Sequence, residues 1–193
     1  TSQILMKPEI TIIITNWNGS KLLKECLPTV LEAVKFDHHH LYEVMVIDDC
    51  STDNSLEVLA EGFPEVRVEK TPRNLGFQEA NNFAVKLAES EIVMPMNNDI
   101  KLDPEALYHL AKYLNNKDIF AVSGKVFAFD QTTFLYGNRG GYFQKGHFHL
   151  YEKPPEDNSQ TLFACGGAFM VNRQKYLKLG GFEREKKSAT GIP

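Results

Sequence analysis

Ile10-Thr-Ile-Ile-Ile-Thr15 is an unbroken run of apolar and β-branched positions, the pattern of a strand covered on both faces. Asn16-Trp-Asn-Gly-Ser20 ends it with turn residues. Apolar positions then recur at helical spacing through Leu22, Leu23, Cys26, Leu27, Val30, Leu31 and Val34, with Pro28 expected to kink or restart that helix. The unit repeats. A strand at 44–47 stops at Asp48-Asp49, residues 50–55 supply capping side chains, and a helix follows near 56–61. A short strand at 66–69 leads to Arg73-Asn-Leu-Gly-Phe77, which opens a helix with Ala80, Phe83, Ala84 and Leu87 on one face. A fourth strand at 92–96 runs into Asn97-Asn98-Asp99, and a helix is expected from near Pro104, as a first-turn residue, to about Asn115.

Strands alternating with helices at this interval predict an α/β, Rossmann-like fold: a mostly parallel sheet with helices on both faces. From Ile119 the pattern changes to a mixed β second half. Residues 121–129 and 142–151 read as extended and 161–171 as a further strand, with the glycines of 137–141 making a hairpin turn and 153–158 a surface loop. No repeat or linker divides the chain, so residues 1–193 are expected to form one domain.

Composition narrows the partners. With 42% hydrophobic and 24% charged residues the chain is an ordinary globular domain, and a net charge of −4 creates no field to gather nucleic acid. Cys26, Cys50 and Cys165 lack the spacing of a zinc site or disulfide framework and fit reduced thiols in a cytoplasmic protein. No apolar run approaches a membrane span of roughly 18 residues, and residues 1–8 carry no signal-peptide pattern; peripheral attachment to the inner face of a membrane is left open.

In open parallel sheets ligands bind beyond the carboxyl ends of the strands, and the polar clusters after strands one to four all fall there. Asp48 or Asp49 could accept the ring N–H of uracil or thymine, against the alternative of helix capping. Arg73 could pair with a phosphate through its planar fork, or be a solvated loop residue. Asn97-Asn98-Asp99 is the sharpest signal. Hard cations such as Mn2+ or Mg2+ take oxygen ligands, commonly one or two protein groups plus substrate phosphates, with Asp99 the anionic ligand and Asn97 a carbonyl or water contact. Gly166 and Gly167 would let backbone approach a sugar on the acceptor side, or mark a β-bulge. His38, His39 and His40 cannot all aim at one ion from an extended loop, and His147 with His149 read as an exposed hairpin face.

Taken in order, the segments Ile12-Ile-Ile-Thr-Asn-Trp-Asn18, Val46-Ile-Asp-Asp-Cys-Ser-Thr-Asp-Asn-Ser55, Asn74-Leu-Gly-Phe77 with Asn81-Asn82, Met96-Asn-Asn-Asp99, Cys165-Gly-Gly-Ala-Phe-Met170 and Gly180-Gly-Phe182 resemble family 2 glycosyltransferases, nearest to the bacterial rhamnosyltransferase-like branch. The resemblance implies a GT-A fold and transfer of a sugar from a UDP or dTDP donor to a glycan or lipid-linked acceptor hydroxyl, with inversion and a divalent metal. By it, Thr15, Asn16 and Asn18 line the nucleotide pocket, Asp48 and Asp49 flank the base, and Arg73, Asn74 and Gly76 face ribose or diphosphate. Asn97, Asn98 and Asp99 complete the donor site, with Asn97 standing where the usual Asp-x-Asp motif begins. The same likeness divides the domain into a nucleotide-sugar half, 1–117, and an acceptor half, 118–193. The family's general base lies in a Glu-Asp pair after a Gly-Gly-Phe-Asp-Glu-like segment. Here Gly180-Gly-Phe-Glu-Arg-Glu185 is followed only by 186–193, so the chain is expected to be incomplete at that end and to bind its donor better than it transfers sugar. Glu183 and Glu185 could substitute. A silent nucleotide-sugar-binding module is the alternative, and a sugar nucleotidyltransferase is less well matched. A dinucleotide oxidoreductase lacks its glycine fingerprint.

Overall fold

The computed structural model describes residues 8–156 and 159–183. Six strands form the main sheet: β1 (Ile10–Asn16), β2 (Tyr42–Asp48), β3 (Arg67–Lys70), β4 (Ile92–Asn97), β5 (Ala121–Ser123) and, by its place in the sheet, a late strand at Phe169–Asn172. Between the last two lie β6 (Val126–Phe127), β7 (Phe134–Tyr136), β8 (Arg139–Gln144) and β9 (His147–Glu152), so the late strand is β10. Order across the sheet is β3-β2-β1-β4-β10-β5. The first four are mutually parallel, whereas β10 runs antiparallel to both β4 and β5.

Alternation of side chains along each strand explains the continuous apolar runs. Ile10, Ile12, Ile14, Val44, Val46, Met94 and Met96 pack on one face against α1 (Ser20–Phe36) and α4 (Ala106–Leu114), through Leu23, Leu27, Val30, Leu107 and Ala111. Leu59 of α2 (Ser55–Gly62) joins that core. Ile13, Met45, Ile47 and Val93 point the other way, onto Ala80, Ala84 and Val85 of α3 (Phe77–Leu87) and Tyr176 of α5 (Arg173–Lys178). A strand buried on both faces admits a polar residue only near its ends or where it is paired, as Thr11 is with Glu43, and this favours polar clusters at the sheet edges. Each fully buried Ile or Met contributes about 1.5–3 kcal/mol, as an upper estimate.

Pro95 interrupts the join between the two halves. Asn97 donates its N–H to Gly167 O across to the β10 side at 2.9 Å, so the amide two residues earlier faces the same neighbour. Proline has no N–H to give. Pairing of β4 with β10 accordingly breaks between Val171↔Val93 and an isolated bridge at Met96↔Ala168.

Several expectations need correction. Pro28 lies inside a single continuous α1, and the fourth helix starts at Ala106, with Pro104 in the turn before it. The 121–129 segment is two short strands, and only Phe169–Asn172 of 161–171 is strand. Residues 137–141 are not the hairpin turn: Arg139, Gly140 and Gly141 belong to β8, and the turn is Lys145-Gly146, both at positive φ as a two-residue type I′ connection requires. The glycines mislead because they serve the facing strand. A Cβ on Gly140 would lie 2.3 Å from the Tyr151 ring, and one on Gly141 2.4 Å from the Phe148 ring. Of the loop expected at 153–158, Asp157 and Asn158 lie outside the described residues, as does Glu185.

Candidate active site

An open cleft of about 330 Å³ lies at the carboxyl edge of the sheet, lined by Thr15, Phe77, Asn97, Asn98, Asp99 and Gly166. Its volume is at the small end of ligand pockets, and it is open to solvent. Thr15 and Asn97 are in-register partners on β1 and β4, so their side chains point to the same side, and Gly167 follows across the Asn97 N–Gly167 O bond. Thr15 and Asn97 line the cleft, and Gly167 follows Gly166, which lines it too. The Tyr136 hydroxyl lies beside Gly167, 2.4 Å from where a Gly167 Cβ would stand, a contact that requires glycine. Burial, and then the charges of Asp99 and Cys165, push the Tyr136 hydroxyl above its ordinary pKa, so it stays protonated.

Phe77 forms one wall and is 43% exposed. Its support comes from the Gly180-Gly-Phe182 segment. The Phe182 ring lies 5.8 Å from Phe77, and Phe182 N–H donates to Asn82 Oδ1 at 2.9 Å while Asn82 Nδ2 donates to Phe182 O at 2.9 Å. Gly181, at positive φ, lets the chain pass: a Cβ there would meet Asn82 Oδ1 at 2.2 Å. Asn81, fully buried, donates to Phe77 O at 2.8 Å and to Thr15 Oγ1 at 3.5 Å.

Behind the cleft the loops after β1, β2 and β3 are tied into one body by side chains. Asn16, 2% exposed, donates to Asp48 Oδ1 and Ser51 Oγ and accepts from Asn98 Nδ2 at 2.8 Å. Gly19 makes room, since a Cβ there would sit 2.2 Å from Asn98 Nδ2 and 2.4 Å from Asn16 Oδ1. Asn18, in the left-handed region at φ 52°, accepts at Oδ1 from Thr52 N and Asp53 N. Asp53 accepts from Ser20 N at the head of α1 and from Ser55 N and Oγ at the head of α2. Burial alone would raise its pKa slightly, but these hydrogen bonds hold the carboxyl at about 2. Asp49, 4% exposed, takes Thr71 Oγ1, Leu75 N and Gly76 N at 2.7–2.8 Å. Asn74 closes the group by donating to Asp49 O at 3.0 Å.

Of the residues singled out in the sequence, Thr15, Asn97, Asn98, Asp99 and Gly166 therefore meet in one cleft. Gly167 is next to Gly166 and accepts from Asn97 N–H. Arg73 is exposed on the loop after β3, with no hydrogen bond or ion pair among the described residues. Asn16 and Asn18 are not among the residues lining the cleft; the Asn16 amide is engaged by Asp48, Ser51 and Asn98, and Asn18 Oδ1 by Thr52 and Asp53. Asp48 and Asp49 have a structural duty that was weighed only as capping; Asp48 accepts from Asn16 and Ser51 N, and each carboxylate retains an unused lone pair. Gly76 gives its N–H to Asp49. His40 pairs with buried Asp37 at 2.9 Å, far from this edge, and His149 stacks on Tyr142 at 5.2 Å on the hairpin. Phe77 lines the cleft and Asn81 supports it, although neither was singled out as a site residue; both lay in the quoted Asn74-Leu-Gly-Phe77 and Asn81-Asn82 motif.

For a divalent cation the donor set is lean. Asp99 is exposed at the cleft with no hydrogen bond or ion pair among the described residues, and Asn97 Oδ1 is buried without a hydrogen bond. Among the described residues no three His, Cys, Asp or Glu side chains cluster closely enough to cage a metal. The residues present fit an ion held by one carboxylate and completed by ligand oxygens, the mode hard cations use with phosphates.

Residues 11–180 match the family model described as Glycosyl transferase family 2. The SPbeta prophage-derived glycosyltransferase SunS of Bacillus subtilis (strain 168) is 27% identical over 176 residues, covering 88% of this chain and 39% of that protein. The mannosyltransferase PcManGT from Pyrobaculum calidifontis, solved in complex with GDP-Man and Mn2+, superposes with a TM-score of 0.65 at 22% identity, covering 93% of this chain and 48% of that one. S. aureus TarS 1-349 gives a TM-score of 0.65 at 22% identity, covering 95% and 52%, and has also been solved in complex with UDP-GlcNAc. The fold is thus the GT-A-like α/β fold. This chain spans about half the length of those solved chains and 39% of SunS.

Proposed function

Because the chain belongs to glycosyl transferase family 2, we propose that its cleft binds a nucleoside-diphosphate sugar and presents it for transfer to an acceptor hydroxyl, with inversion and with the help of Mn2+ or Mg2+. One observation carries this reading: Thr15, Asn97, Asp99 and Gly166, drawn from three separate strand ends, converge with Phe77 on a single cleft. The base lies toward β2 and β3, where the lone pairs left on Asp48 and Asp49 accept from the imide N–H of uracil or thymine, and Thr15 and Asn74 flank the nucleoside. Arg73, unpaired on its exposed loop, reaches the diphosphate. Asp99 would hold the cation, which when bound would neutralise charge on the departing diphosphate. In the transfer an acceptor oxygen bonds to the anomeric carbon as the anomeric C–O bond to phosphate breaks. The electron pair leaves with the nucleoside diphosphate, and the acceptor proton passes to a base or to solvent.

The motif set extends the proposal to a rhamnosyl- or hexosyl-type donor, a glycan or lipid-linked acceptor and polysaccharide synthesis at the cytoplasmic side, with residues 1–117 handling the donor and 118–193 the acceptor. Among the described residues no helix is long and apolar enough to cross a membrane. The test is titration calorimetry of UDP and dTDP with and without MnCl2, on the native chain and Asp99→Ala. Metal should tighten binding to the native chain at least tenfold and leave the variant unchanged, with equal thermal stability because Asp99 supports nothing. Undiminished metal dependence in the variant would sink the assignment.

A further inference from the structure

We propose that Asn82 is a positioning residue for the nucleotide: it clamps Phe182 behind Phe77, so that the Phe77 ring stands ready as a wall of the cleft. The inference rests on the reading of the cleft as a donor site. Phe77 is the first residue of α3 and lines the cleft with its ring 43% exposed. Phe182 supplies the one aromatic ring beside it among the described residues. A phenylalanine so placed has more than one staggered position open to it, and its orientation depends on what backs it.

Two neighbouring asparagines divide that task. Asn81, fully buried, holds the backbone of Phe77 by donating to Phe77 O at 2.8 Å. Asn82 reaches a segment 100 residues on and matches both backbone groups of Phe182: Oδ1 accepts its N–H and Nδ2 donates to its carbonyl, each at 2.9 Å. The Tyr176 hydroxyl completes the clamp by donating to Asn82 Oδ1 at 2.7 Å. Gly180 and Gly181, at φ 90° and 76°, turn the chain sharply after α5, and a Cβ on Gly181 would meet both Asn82 Oδ1 and the Tyr176 ring. The Phe182 ring is thereby delivered into a three-sided slot. Phe169 and Tyr176 meet it edge-on at 6.1 and 6.0 Å, and Phe77, at 5.8 Å, is the side that opens on the cleft. The residue before Phe77 is fixed as well, since Gly76 N–H is held by Asp49. A wall set in advance spares the ligand the loss of affinity that ordering one aromatic side chain would cause, about three- to tenfold.

The experiment measures binding of UDP, dTDP and GDP in MnCl2 by calorimetry on the native chain, Asn82→Ala, the milder Phe182→Leu, Phe77→Ala and the double variant Asn82→Ala with Phe77→Ala. Affinity for the nucleotide that the native chain binds most tightly should fall about three- to tenfold in Asn82→Ala and in Phe182→Leu. In the Phe77→Ala background the Asn82 substitution should cost less than about a further twofold, because Asn82 acts through that ring. Val30→Ala, in the core on the other face of the sheet, should lower the melting temperature and leave affinity unchanged. Coupling is reciprocal, so nucleotide should slow exchange of the Phe182 amide in the native chain by a similar factor. That measurement needs no variant and decides the matter even if Asn82→Ala does not fold. Native affinity in Asn82→Ala, full additivity in the double variant, or a Phe182 amide indifferent to nucleotide would each reduce the clamp to a support of the fold and overturn the proposal, leaving the donor-site reading standing. If the native chain binds none of the three nucleotides, both fall.

Discussion

The loops behind the cleft and the β8–β9 ribbon show two opposite ways of holding backbone in place. In the first, turns between buried strands are fastened by polar side chains: Asn16 to Asp48, Ser51 and Asn98, Asn18 to Thr52 and Asp53, Asp49 to Thr71, Leu75 and Gly76. In the second, two strands stand outside the main sheet and lean on aromatic rings, with Phe143 and Phe148 4.9 Å apart on one face and Tyr142 stacked on His149 on the other. Phe143 remains 78% exposed. Removing a polar atom from the first leaves buried donors without partners, while removing a ring from the second mostly exchanges one exposed surface for another. The residues that line the cleft stand beside the first of these two bodies.

The sharpest way to break this contrast is Asp49→Ala. Three protein donors, two of them backbone N–H groups ahead of α3, lose a buried carboxylate. Unfolding in urea should show a loss of at least about 3 kcal/mol, and a smaller loss would mean that water enters the loops freely. Next is Gly19→Ala, whose methyl group would collide with the Asn16–Asn98 hydrogen bond. We expect about 1–3 kcal/mol of destabilisation and weaker nucleotide binding together, since Asn98 lines the cleft. Excision of the ribbon sharpens the comparison from the other side. Asn138 O and Lys153 N are 2.8 Å apart, so residues 139–152 can be replaced by a two-glycine bridge. Because a lone two-stranded ribbon is marginally stable, the deletion should cost within about 1 kcal/mol and leave the far-ultraviolet helical signal intact; collapse of the whole fold would show that the ribbon is a support.

The smallest effect concerns acid. Asp53 has a folded pKa depressed to about 2, below its unfolded value of about 3.9. A depressed carboxyl stabilises the fold above the unfolded pKa, and that contribution is lost as pH falls from about 4 towards 2. Asp53 is exposed, so solvent screening keeps the effect small. Asp53→Asn should flatten the fall of melting temperature over that window; an identical pH profile would remove Asp53 from the loop network.

The same contrast explains what could be read in the sequence. Strands β1, β2 and β4 announced themselves because burial on both faces keeps their central positions apolar, and the clusters at their ends marked the cleft. What Asn16 and Asn18 do there was not legible: an amide that ties loops and an amide that meets a ligand have the same spacing. Beyond residue 118 the local signals competed. Gly140 and Gly141 looked like a turn because their purpose, clearance for Tyr151 and Phe148, lies on the opposite strand. The fit of Tyr136 against Gly167 gave no sign at all, since the two are 31 residues apart by subtraction of their numbers.

Pro95 leaves the seam between β4 and β10 one rung short: β10 is fastened to β4 at Val93 and again at Met96 and Asn97, with no ladder bond between. A strand pair stitched at both ends and slack in the middle is expected to open more readily than its fully laddered neighbours. Amide exchange should reveal that slackness as early labelling of β10 within a sheet whose β1 and β2 amides are the last to exchange.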